Sequence, residues 1–177
     1  MKNIAIYPGS FDPITLGHID LIERMSSHYD EIVVLIADNN SKASLFTPQE
    51  RKALIEKCLG KTKNVRADIF DGLTVTYAGK VGASTILRGL RAISDFEYEH
   101  AMANMNRRLA PDVETLIVFT SPQFSYVSSR MVKEVAHYGG ALDEIVPPAV
   151  KKALAEKIKP KNSQIKNQIK NLSKKKK

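Results

Sequence analysis

A chain of 177 residues, 43% of them hydrophobic, is long enough for one domain with a sizeable core and too apolar for a disordered one. No run approaches the ~18 apolar residues of a membrane helix, and no charged start leads into the apolar stretch and cleavage site of a signal peptide. The net charge of +8 would suggest a nucleic-acid partner, but eight lysines and no acid lie between Lys159 and Lys177, and without them 19 basic residues face 19 acidic ones. Residues 1–158 are therefore expected to form a neutral domain and 159–177 a lysine-rich, disordered tail with at most weak, salt-dependent attraction to polyanions.

The first element is an apolar run, Ile4 to Tyr7, that ends at Pro8-Gly9. A polar turn follows, and then helical spacing at Ile19, Leu21, Ile22 and Met25. Strand, tight loop and helix are expected here, with Gly9 and Gly17 allowing close backbone approach and His18 in the first helical turn. Unpartnered amides and the positive end of the helix dipole make that turn a place for phosphate. Glu31 to Ala37 (EIVVLIA) suits a strand covered on both faces. Asp38 to Phe46 is a polar loop holding Lys42. Thr47-Pro48-Gln49-Glu50 opens a helix as a capping box, and that helix stops at Gly60.

Further strands are expected at Val65–Phe70, Ser84–Leu87 and Thr115–Phe119, with helices at Leu73–Val81 and from a Ser94 cap to about Leu109. Arg88-Gly89-Leu90-Arg91 should come directly after the fourth strand. Thr120 to Tyr126 reads as a loop, Ser128 or Ser129 as the start of a helix ending near Tyr138, and Pro147-Pro148 as the start of a last helix fading near Lys159. Cys58, the one cysteine, sits in helical spacing and fits a semi-buried residue of a reducing cytoplasm. Strands alternating with helices imply a single α/β domain, a Rossmann-like, doubly wound, five-stranded parallel sheet.

In such a sheet ligands lie beyond the C-terminal strand ends. The loops there carry Ser10 to His18, Lys42, Gly72 to Thr74, Arg88 to Arg91 and Thr120 to Ser129. Lys42, Arg88, Arg91 and His18 converging on one rim suggest a polyphosphate ligand, against the alternative that each arginine pairs with a surface acid. Ser125, Ser128 and Ser129 offer hydroxyls around a helix N-terminus. No P-loop, no Gly-x-Gly-x-x-Gly fingerprint and no zinc spacing occurs, and His28, His100 and His137 stand alone as surface residues. Donors and cations without an evident nucleophile fit nucleotidyl transfer, in which an anionic phosphate oxygen attacks directly and catalysis rests on alignment and charge stabilisation. His18 is then the donor to the reacting phosphate, with Lys42 and Arg91 steadying its charge. Mg2+ is expected on the nucleotide phosphates and water rather than on protein ligands, because no acidic cage is visible.

The stretches YPGSFDPITLGHID, SKASLFTPQER, ILRGLRAISDFEYE and FSYVSSRMVKEVA, in that order, resemble the nucleotidyltransferase superfamily with its His/Thr-x-Gly-His motif, here Thr15-Leu16-Gly17-His18. Within it they look most like the bacterial phosphopantetheine adenylyltransferase family, and the likeness spans about residues 2 to 158. That resemblance implies transfer of AMP from ATP to 4′-phosphopantetheine, giving 3′-dephospho-coenzyme A and pyrophosphate. It assigns Ser10, Lys42, Thr74 and Arg88 to phosphopantetheine. It assigns Ser10, Phe11, His18, Gly89, Leu90, Arg91, Glu99, Phe124, Ser125, Tyr126, Val127, Ser128, Ser129 and Arg130 to ATP. A cytoplasmic homohexamer inhibited by coenzyme A is also implied. Ser10 stands where threonine is frequent in the family and Arg130 where serine is. A sister enzyme acting on another phosphate acceptor, such as nicotinate mononucleotide, is the nearest alternative, and a nucleic-acid-binding module driven by the tail is the more distant one.

Overall fold

The computed structural model describes residues 2–37, 44–60 and 62–158. Lys42 and the 159–177 tail therefore lie outside the described residues. Five β-branched or apolar stretches form strands: β1 (Ile4–Gly9), β2 (Glu31–Ala37), β3 (Val65–Phe70), β4 (Thr85–Leu90) and β5 (Glu114–Phe119). They make one sheet in the order β3-β2-β1-β4-β5, with every neighbouring pair parallel. Helices α1 (Leu16–Ser26), α2 (Pro48–Leu59), α3 (Thr74–Val81) and α4 (Ile93–Leu109) connect the strands, and α5 (Ser129–His137) and α6 (Pro148–Lys157) follow the last one.

Strand periodicity sorts the side chains into two apolar layers. On one side of the sheet Ala5, Tyr7, Val34 and Ile36 meet Leu21 and Ile22 of α1, Ile55 of α2, Val132 of α5 and Leu154 of α6. On the other, Ile6, Val33, Leu35 and Ile86 meet Val75, Tyr77 and Ala78 of α3. The run Ile32–Ile36 is buried throughout, as a strand covered on both faces requires. The expected doubly wound, five-stranded α/β domain is what the chain forms.

Local signals hold at α2, where Thr47 Oγ1 accepts from the Glu50 N–H at 3.2 Å and the Glu50 carboxylate accepts from the Thr47 N–H at 2.8 Å. Three expectations are corrected. β1 runs on through Pro8 and Gly9, which pair with Leu35 and Ile36. β4 does not stop at Leu87, because Arg88, Gly89 and Leu90 pair with Ile117, Val118 and Phe119 of β5. Ser94 is not the cap of α4. Ala92 holds that position without a side-chain bond, and the Asp95 carboxylate accepts from the Ala92 and Arg91 backbone N–H groups instead. Burial of the thiol among α2 and its neighbours pushes Cys58 up to about 11, which fits a structural residue rather than a nucleophile.

Candidate active site

From β1 the chain steps outward to β2 and β3, then returns to β4 on the other side of β1 and continues to β5. The C-terminal ends of β1 and β4 therefore border the crevice where the strand order reverses, the usual ligand position in an open α/β sheet. A cavity of about 310 Å³ opens there. Its walls are the β1–α1 loop with Ser10 and Phe11, the first turn of α1 with His18, the end of β4 with Arg88 and Gly89, Arg91 just after it, and Phe124, Val127 and Ser129 from beyond β5. Of the expected site residues, Ser10, Phe11, His18, Arg88, Gly89, Arg91, Glu99, Phe124, Val127 and Ser129 line this cavity, while Lys42 lies outside the described residues.

His18 is the third residue of α1. Thr15 caps the helix by accepting from the His18 N–H at 3.4 Å, and the Thr15 backbone N–H donates in return to His18 Nδ1 at 3.0 Å. The histidine replaces the glutamate of an ordinary capping box. Because Nδ1 accepts an N–H, it carries no proton, and the neutral ring's proton lies on Nε2. Phe11 packs on the ring at 5.1 Å and Tyr7 at 6.3 Å. Burial, reinforced by the Arg91 charge, lowers the imidazole to about 4, so His18 is a neutral donor at pH 7. The two glycines serve this loop by close packing. A Cβ at Gly9 would stand 2.9 Å from the Phe11 ring, and one at Gly17 3.1 Å from Phe124 Cβ. Phe11 itself holds a left-handed φ of 46° with its ring buried.

Both arginines have carboxylate partners and still line the cavity. Arg88 shares the side of the sheet with Ile86, where α4 brings up Glu99. Its Nε and Nη2 donate to the two Glu99 oxygens at 2.6 and 2.7 Å, and its Nη1 donates to the Pro8 carbonyl at 2.9 Å. This bidentate bond fixes the plane of the guanidinium and links the ends of β1 and β4. Arg91 is held by Asp95 at 3.1 Å through Nε and Nη2. The choice between phosphate ligation and acid pairing drawn from the sequence was too sharp, since the acids here orient the arginines within the cavity wall.

Asp12 anchors the β1–α1 loop. Its two oxygens accept from the Leu45 and Phe46 N–H groups at 3.0 and 2.9 Å, and Lys133 of α5 donates to it at 2.6 Å. Burial would raise this carboxyl, but the Lys133 bond and the two amides outweigh it and hold the group below the usual range. Arg51 of α2 donates to the Ser10 carbonyl at 2.9 Å, which sets the backbone bearing the Ser10 hydroxyl.

The serines beyond β5 are already engaged. Ser128 caps α5 by accepting from Met131 N–H, Ser129 Oγ donates to the Pro13 carbonyl at 2.7 Å, and Ser125 Oγ donates to the Pro122 carbonyl. Of these three only Ser129 borders the cavity, together with Phe124 and Val127, while Tyr126 and Arg130 are exposed outside it. Leu90 is buried in β4, and Thr74 begins α3 away from the cavity wall. Sequence reasoning named Thr15 only within the Thr-x-Gly-His motif, without its capping role, and missed Tyr7. The Thr-x-x-His spacing was the legible sign of Thr15, as a capping box with an unusual last member. Tyr7 had only its strand-end position to signal it. Among the described residues no cluster of three or more His, Cys, Asp or Glu side chains could hold a metal ion.

The cytidylyltransferase-like family model matches residues 6–135. A phosphopantetheine adenylyltransferase of Bdellovibrio bacteriovorus is 61% identical over 159 residues, covering 90% of this chain and 99% of the relative. A protein of the same name from Geotalea daltonii is 53% identical over 155 residues, covering 88% and 96% of the two chains. Among solved structures, the Plasmodium falciparum nicotinic acid mononucleotide adenylyltransferase complexed with NaAD superposes with a TM-score of 0.63 at 16% identity, over 88% of this chain and 96% of that one. That last likeness speaks for the fold alone.

A pH dependence follows from the partly buried imidazole. Between pH 6.5 and about 4 the unfolded chain binds a proton on His18 that the folded chain refuses, so stability declines as pH falls through that window and the loss is complete below it. Urea titrations from pH 7 to pH 4 are expected to show the wild type losing more stability than His18→Gln. Equal losses would contradict the neutral ring.

Proposed function

The chain belongs to the phosphopantetheine adenylyltransferase family, and from that membership we infer that it transfers the adenylyl group of ATP to 4′-phosphopantetheine. An anionic oxygen of the acceptor phosphate attacks the α-phosphorus of ATP. The bond from that phosphorus to the α,β-bridging oxygen breaks, pyrophosphate leaves, and 3′-dephospho-coenzyme A is formed without a covalent enzyme intermediate. The observation that carries the acceptor's identity is the 61% identity to a relative of that name along nearly its whole length.

The geometry supports the mechanism. His18 offers Nε2–H toward charge that grows on the α-phosphate, and being neutral it need not surrender a proton to do so. The bidentate Glu99 bond and the Asp95 bond hold Arg88 and Arg91 in place before substrate arrives, so little reorganisation is needed at the reacting centre. Lys42, from outside the described residues, would add a further cation to the incoming phosphate. Asp95 and Glu99 each hold an arginine, so magnesium brought with ATP would be bound by phosphate oxygens and water, and would neutralise charge on the leaving pyrophosphate.

A homohexamer in the cytoplasm belongs to the same proposal. The exposed Phe96, Tyr98, Met102 and Met105 of α4 and Leu116 and Phe119 of the edge strand β5 supply apolar surface for contact between copies. No helix among the described residues is long and apolar enough to cross a membrane. Feedback inhibition by coenzyme A fits a cavity that must hold both halves of that molecule. The nicotinate mononucleotide alternative rests only on likeness of fold.

Purified protein with ATP and magnesium is expected to release pyrophosphate with 4′-phosphopantetheine and little with nicotinate mononucleotide; the reverse preference would refute the acceptor. His18→Ala is expected to cut the maximal rate by about 10²–10³-fold while changing the ATP dissociation constant far less. A rate equal to wild type would remove His18 from the transition state.

A further inference from the structure

Tyr7 lies near the C-terminal end of β1, 6% exposed, with its ring packed edge-on against Phe11 at 5.4 Å. Its side chain borders the cavity. Among the described residues the Tyr7 hydroxyl has no hydrogen-bond partner, although it is not one of the fully enclosed orphan atoms. The oxygen is therefore open to the cavity. A tyrosine this buried ordinarily finds a partner for its O–H.

What faces that hydroxyl indicates what the partner is. A Cβ at Gly89 would stand 3.4 Å from the Tyr7 oxygen and 3.2 Å from Leu21 Cδ1, so the absence of a side chain at Gly89 leaves the hydroxyl accessible. The charges acting on it are Arg88, Arg91 and Glu99, in decreasing order. Glu99 is taken up by both of its bonds to Arg88, and Arg88 has no donor directed at Tyr7. A donor beside two cations, without a protein acceptor, suits an anionic oxygen.

We propose that the Tyr7 hydroxyl donates a hydrogen bond to an anionic oxygen of the acceptor's phosphate, and so helps to bind and aim the attacking group. The proposal rests on the nucleotidyl-transfer reading above and adds a ligand-contacting residue to it. Burial pushes the phenol up to about 12, so it remains a donor throughout the neutral range. No proton leaves Tyr7 during the reaction.

Tyr7→Phe removes the hydroxyl and keeps the ring. By calorimetry, 4′-phosphopantetheine is expected to bind the variant roughly ten- to hundredfold more weakly, the scale of one hydrogen bond to a charged group. Inorganic phosphate followed by 31P NMR is expected to weaken in the same direction, while ATP affinity and melting temperature hold. Unchanged affinity for phosphate overturns the proposal, and so does a loss shared equally by ATP or accompanied by a lower melting temperature. The phosphate arm needs no turnover. Weakened phosphate binding in a protein whose wild type releases no pyrophosphate would sink the functional reading and leave the Tyr7 contact standing. Wild-type turnover with equal phosphate binding by both proteins would do the opposite.

Discussion

A single backbone hydrogen bond, from the Thr15 N–H to His18 Nδ1 at 3.0 Å, decides what the cavity can do. It occupies one ring nitrogen with a donor, leaves the proton on the other, and fixes the ring's direction at the start of α1. The same two residues cap the start of the helix, so local folding and chemistry share one device. Burial against Phe11 and Tyr7 then keeps the ring uncharged. A charged histidine at this place would be another cation facing Arg91, whereas the neutral ring is a directed donor that the arginine does not repel.

The remainder of the site holds this donor at a fixed place relative to the arginines. Asp12 joins the first loop to the amides of Leu45 and Phe46 and to Lys133 of α5, Arg51 pins the Ser10 carbonyl, and Arg88 bridges Pro8 and Glu99. The loop after β1 is thus tied to the segment before α2, to α2 and to α5, while Arg88 ties the end of β1 to α4. Partly enclosed charge pairs of this kind add little net stability once desolvation is counted. Their value here is positional, because a reaction that uses no covalent intermediate depends on alignment.

Much of this was legible in the chain. The uninterrupted EIVVLIA run identified a strand with two covered faces, Thr47-Pro48-Gln49-Glu50 identified a helix start, and polar residues that follow β1, β4 and β5 meet at one cavity, whereas Thr74 after β3 does not. The misreadings have two causes, one tertiary and one local. β4 continues through Leu90 because β5 lies beside it, and α4 starts before Ser94 because Asp95, already engaged with Arg91, takes the free amides. The carboxylate partners of both arginines likewise come from α4, four to eleven residues farther along, and no local pattern marks them. Pairing between elements is set by tertiary contact, whereas capping and periodicity are set by neighbours in sequence. Tyr7 was passed over for the same reason: in sequence it is one more strand residue, and only the cavity beside Gly89 distinguishes it.

The tautomer and charge of His18 can be read directly from the ring nitrogen shifts in a long-range 1H–15N correlation spectrum of 15N-labelled protein at pH 7. The account predicts a neutral ring, protonated at Nε2 and bare at Nδ1, that stays so on titration well below pH 6.5. A ring protonated at Nδ1, or a doubly protonated imidazolium at pH 7, would contradict it.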